Sequence, residues 1–144
     1  CVGGCSLNSV GNLTGDPANV VQPNLAGNTA PQAPKWVVSL GYDHDWDLSN
    51  GAFITASVLS KYKDEYYTNI FNWADDLQKS FIQTDLSLKY TNSTGAFSVQ
   101  AYLRNMENIR PQTYTQFTSA GPDDIYNWNF GAPRTYGVTL TYNF

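Results

Sequence analysis

The sequence is poor in the residues that most chemistry needs. Its 144 residues hold one histidine, His44, one methionine, Met106, and two cysteines, Cys1 and Cys5. Two thiolates and a distant imidazole do not make a metal-ligand set. Nowhere do about 18 apolar residues run together, which excludes a transmembrane helix. Charged residues are 14% of the chain, against roughly 25% in ordinary soluble domains. Positive charge is the scarcer sign: 8 Lys and Arg stand against 12 Asp and Glu, a net charge of −4. No basic surface is available to neutralise phosphates, so a nucleic-acid partner is excluded.

Aromatic residues are abundant, at 15%, with Tyr 10, Phe 7 and Trp 4. Few charges, many aromatics and no long apolar run describe either a β-rich binding module or a membrane β-barrel. The chain begins on Cys1 with no basic, apolar leader, so it reads as a mature product or a piece of something longer. Cys1 and Cys5 bracket Val2-Gly3-Gly4. A disulfide between them, a lipid-modified Cys1 and two free thiols all remain open.

Residues 1–34 are rich in Gly, Asn, Pro, Ser and Thr and read as loop. From Lys35 onward the dominant period is two. Trp36, Val38, Leu40, Tyr42, His44 and Trp46 alternate with Val37, Ser39, Gly41, Asp43 and Asp45. The same alternation runs through 52–62, 81–90, 97–105 and 135–144. Successive side chains on a strand point to opposite faces, so five strands with one apolar and one polar face are expected. The nearest helical candidate, 73–79, is about two turns at best and reads as loop.

The connections alternate as well. Asp47–Gly51 and Thr91–Gly95 are short Asn/Ser/Gly turns that suit antiparallel hairpins. The other two connections, about 63–80 and 106–133, are long. An up-and-down meander then places every short turn at one end and every long loop at the other, as in outer-membrane barrels. Strands of about 10–12 residues exceed the usual 5–6 of soluble sheets and meet the about 9–11 that a membrane strand needs. Aromatics at the strand ends flank smaller aliphatics, which suits interfacial girdles. The opposite face carries Asp85, Lys89, Gln100, Arg104 and Lys61, which suits a hydrated or plugged lumen. His44 falls on the lipid-side register near the short-turn end, where an interfacial role fits better than a ligand role.

Several stretches in order carry a resemblance. They are Asn28–Trp36, Tyr62-Lys63-Asp64-Glu65-Tyr66-Tyr67, Asp85–Tyr90, Tyr102–Asn108 and Ala132–Gly137. The last strand then ends on Phe144. Together, over about 28–144, they resemble the C-terminal end of a TonB-dependent receptor barrel. The resemblance implies the closing strands of a 22-stranded wall in the outer membrane of a Gram-negative bacterium, with residues 1–34 in a preceding extracellular loop. It also implies an N-terminal plug and a TonB-contacting motif that this sequence does not contain. The partners would be outer-membrane lipid, the rest of the parent barrel with its plug, TonB through the missing part, and the barrel assembly machinery. Gly137, Leu140, Tyr142 and Phe144 resemble the terminal signal that this machinery reads.

Such a receptor would import a scarce solute such as a ferric siderophore or another large nutrient, without enzymatic activity or a cofactor. Five strands alone cannot close, so this segment alone is not expected to transport. Substrate contact would come from the long loops: Trp73, Asp75 and Asp76 in the first, and Tyr114, Phe117, Asp123, Asp124, Tyr126 and Trp128 in the second. The plainer reading of these side chains is loop-on-loop packing and solvation. Asp75-Asp76 and Asp123-Asp124 are neighbours rather than a spaced acid/base pair. Two other architectures remain: a secreted or lipid-anchored soluble β-sandwich that binds carbohydrate, and a small barrel that closes by oligomerisation.

Overall fold

The computed structural model describes residues 25–120 and 123–144. Cys1 and Cys5 lie outside the described residues. Five long strands form one antiparallel sheet: β1 (Val37–Asp47), β2 (Phe53–Lys63), β5 (Phe81–Thr91), β6 (Phe97–Arg104) and β9 (Thr135–Tyr142), in that order across the sheet. This is the all-β meander that the alternation predicts, with no α-helix among the described residues. The sheet is open, with β1 and β9 at its edges.

Register decides what the two faces are. Residues paired directly across antiparallel strands share a face. His44 pairs with Ala56, Ala56 with Leu88, Leu88 with Ala101, and Ala101 with Val138. The next row runs Tyr42, Val58, Leu86, Leu103, Tyr136. These two rows therefore run across all five strands. The intervening rows are polar: Asp45 faces Thr55, Lys89, Gln100 and Thr139 in turn. The Thr55 hydroxyl donates to Asp45 Oδ1 at 2.5 Å.

Both short turns close as their composition suggests. In the first, Leu48 N–H donates to Ala52 O at 2.8 Å, and Gly51 takes φ 78°. In the second, the Asn92 side chain accepts from Phe97 N–H at 3.0 Å, and Gly95 takes φ 73°. Left-handed backbone at these two positions is the conformation in which glycine carries no steric cost.

The long connections are more ordered than their composition suggests. The first holds β3 (Tyr66–Tyr67), a 3-10 turn at Ala74–Asp76 and β4 (Leu77–Gln78), with β3 paired to β4. The second holds a hairpin of β7 (Gln112–Ala120) and β8 (Asp123–Phe130). Its Thr, Tyr and Phe content is strand-forming, and Tyr126, Trp128 and Phe130 alternate with Asn127 and Asn129, over a shorter span than in the five long strands.

The chain divides into two compact units. One is the five-stranded sheet with its short turns, over Trp36–Asp64, Ser80–Arg110 and Gly131–Phe144. The other gathers Glu65–Lys79 and Pro111–Phe130 with the segment ending at Lys35. Among the described residues the buried hydrophobics are only Ala52 and Tyr66. The sheet has no apolar core of its own.

Candidate functional site

Two surfaces carry the chemistry: the apolar face of the sheet, and an aromatic cluster in the loop unit. On the sheet, Leu40 is 73% exposed, Leu140 69% and Tyr136 80%. Trp36, Val38, Tyr42, Trp46 and Val138 are also exposed. These side chains stand open among the described residues. Ser60 and Thr84 are the polar exception in this register. They pair across β2 and β5 with their hydroxyls 3.1 Å apart, so that one donates to the other.

At the long-loop end of the sheet, the chain leaving β6 is tied down by side chains. Asn105, in left-handed backbone at φ 55°, donates from Nδ2 to Ile109 O at 2.8 Å and Ala132 O at 2.9 Å. Its Oδ1 accepts from Ile109 N–H at 3.0 Å, and its own N–H donates to Asp85 Oδ1 at 2.9 Å. Thr84 N–H donates to Glu107 Oε2 at 2.8 Å. Slight burial works to raise the Glu107 carboxyl pKa, but the hydrogen bonding to Thr84 and the charge of Arg134 outweigh it, and the pKa is lowered. The Tyr102–Asn108 motif thus has a structural job, which is to fix the exit of β6.

In the loop unit, five aromatic rings form a chain of contacts. Phe71 stacks on Trp73 at 5.0 Å, and Trp73 meets Phe117 edge-on at 5.4 Å. Phe117 lies 5.6 Å from Tyr126, and Tyr126 lies 5.4 Å from Trp128. The pairing of β7 with β8 makes this arrangement, because Phe117 faces Tyr126 and Thr115 faces Trp128 on one side of the hairpin.

Beneath the rings sits a buried polar knot. Asp76 is fully buried, as is Thr115, and Thr68 is 2% exposed. Thr115 Oγ1 donates to Asp76 Oδ1 at 2.6 Å, and Trp73 N–H donates to Asp76 Oδ2 at 3.3 Å. The Thr68 and Thr115 hydroxyls lie 2.8 Å apart. A buried carboxylate is tolerated only when such donors replace its water. Burial and then the Asp76 and Asp75 carboxylates push the Tyr126 phenol up to about 12. Burial also raises Tyr66, whose hydroxyl donates to Gln112 O at 2.8 Å.

Of the loop residues named from sequence, the structure brings together Trp73, Asp76, Phe117, Tyr126 and Trp128. Asp75 is exposed beside them. Tyr114 pairs with Asn129 on the other side of the hairpin and is 47% exposed. Asp123 and Asp124 open β8, and their side chains lie outside what is described. Sequence reasoning missed Phe71, Thr68 and Thr115. Phe71 sits two residues from Trp73, a spacing that a strand reading of the loop would have caught. Nothing in the sequence marks the two threonines.

At the end of the chain, Leu140 and Tyr142 stand on the open apolar face, and the Phe144 ring meets Tyr142 edge-on at 5.0 Å. Gly137 lies in a polar row opposite Tyr102. No family model, curated protein or solved structure matches this chain.

Proposed function

We propose that this chain is a stretch of outer-membrane barrel wall with two of its loops, from a TonB-dependent receptor that imports a scarce solute such as a ferric siderophore or another large nutrient. One observation carries the reading: apolar rows hold their register across five strands and stand open. Strands of 8–11 residues fit the about 9–11 that a tilted crossing needs. Strict alternation of short turns with long connections supports the same topology. The ordered motifs of the sequence supply the family.

On this reading the open edges of β1 and β9 pair with the rest of the parent barrel, since hydrocarbon does not tolerate unpaired backbone. Plug and TonB belong to that parent protein, and Phe144 is presented to the barrel assembly machinery. The ring cluster of the loop unit is the ligand-facing surface. The competing reading, a secreted or lipid-anchored carbohydrate-binding sandwich, needs a second layer over Leu40 and Leu140, and both are exposed.

Fractionation of the source cells with an antibody to this chain tests the proposal. The expected result is an outer-membrane band, extracted only by detergent, whose gel mobility changes on heating. A monodisperse monomer in detergent-free buffer with a cooperative thermal transition would overturn it.

A further inference from the structure

We propose that the apolar face carries a binding site for a single glycerophospholipid, an inference that rests on the membrane reading above. The face is not uniform. A trough of about 670 Å3 runs between an aromatic wall, Tyr42, His44 and Trp46, and a floor that includes Ala56 and Ala101. Register explains it: the row His44, Ala56, Leu88, Ala101, Val138 alternates small with large side chains. Two alanines leave a channel where their neighbouring rows are filled. Its volume falls within the about 300–1,000 Å3 typical of small-molecule sites.

His44 gives the trough a polar end. Among the strand residues of this face it alone can carry positive charge. Its Nδ1 lies 3.2 Å from the Tyr42 hydroxyl, and its ring meets Trp46 edge-on at 4.4 Å. Where the Tyr42 phenol O–H donates to Nδ1, the imidazole proton sits on Nε2. That N–H points from an exposed ring with no protein acceptor, a costly arrangement in hydrocarbon.

The depth of His44 identifies what can satisfy it. It stands one row inside the aromatic residues Trp46 and Tyr90, two residues or roughly 7 Å along the strand, and less after tilt. This is the level where ester and phosphodiester oxygens of a lipid meet its chains. A glycerophospholipid supplies both an acceptor for Nε2–H and an acyl chain for the trough. A free phosphate has no chain, and an alkane has no acceptor.

The test uses the receptor that carries this segment, extracted from outer membranes in mild detergent and read by native mass spectrometry with lipid identification. The unmodified receptor should retain one phospholipid. His44→Phe, which keeps the ring but not the donor, and Ala101→Leu, which fills the trough, should each lower the retained fraction about tenfold. Val38→Leu, on the same face but outside the trough, should leave it unchanged. Heat-modifiable mobility reports that each variant is folded, and Ala56→Leu fills the trough from the neighbouring strand should Ala101→Leu not fold. Equal retention in all variants, or none in the unmodified receptor, overturns the lipid site. Absence of the chain from the outer membrane overturns the membrane reading instead.

Discussion

Tyr102 lies across Gly137, its paired residue on the neighbouring strand, so closely that a Cβ at 137 would meet the phenol oxygen at 2.6 Å and its ring carbon at 2.8 Å. The ring fills the side-chain space that glycine leaves vacant, as aromatic residues do for strand glycines. The Arg104 guanidinium, 5.3 Å from the ring centroid, borders the same ring. Gly137 therefore has a packing role beside any part in an assembly signal. Gly137→Val should destabilise the β6–β9 pairing by about 1–3 kcal/mol, measured as a shift in the urea midpoint. In a Tyr102→Ala background the penalty should shrink, because the clash is the coupling term.

Thr115→Val removes the 2.6 Å donor to buried Asp76 and leaves a carboxylate oxygen short of a partner. The cost should be about 1–3 kcal/mol. Thr68 and Asn69 also bond to Thr115, so loosening should spread to both long connections. Hydrogen exchange should rise together over 66–78 and 112–118. A rise confined to the hairpin would show that the knot does not join the two.

The five long strands were legible because a sheet with one apolar and one polar face imposes a strict rule on its strands: one face is apolar at every second residue. Val38, Leu40 and Tyr42 obey it, and their strand begins at Val37, within a residue of the pattern. The loop unit obeys no such rule. Its order comes from particular bonds, such as Thr29 N–H to Asn72 Oδ1 at 2.6 Å and Gln32 N–H to Tyr67 O at 2.7 Å. These join residues far apart in sequence, and single polar residues do not announce their partners. Trp73, Phe117 and Tyr126 were visible as aromatics, but only strand pairing shows that they meet.

Tyr126 should ionise well above the usual range of a tyrosine. With its phenol raised to about 12, above the usual value of about 10, the protonated form is favoured in the folded state. The resulting stability is complete below pH about 10 and is lost as pH rises through about 12. Absorbance titration at alkaline pH should show a component near 12 that Tyr126→Phe removes. Retention of that component would assign it elsewhere.

Glu107 gives the opposite sign. Its folded pKa is lowered, so the stability it contributes is complete above its unfolded value of about 4.3 and is lost as pH falls through the lowered one. Glu107→Gln should therefore flatten the acid limb of a stability–pH curve below about pH 4.3 while leaving the neutral region nearly parallel. The group is too close to solvent for a large effect. An unchanged acid limb would mean that the bond to Thr84 N–H does not distinguish the charged form.

Leu40 and Ser39 are adjacent residues on opposite faces of β1, and the solvent each meets separates the two architectures. In a water-soluble protein an exposed leucine can become arginine at little cost, within about ±0.5 kcal/mol for surface changes. Leu40 is 73% exposed, so a soluble fold should accept Leu40→Arg readily. In a bilayer the same change places a cation near the middle of the apolar band and costs about 2–4 kcal/mol. Ser39→Arg falls on the polar register and should be tolerated in either environment. The expected outcome is a marked loss of folded, heat-modifiable protein for Leu40→Arg and near-normal yield for Ser39→Arg. Equal yields would mean that this face meets water, and the membrane reading would fall with it.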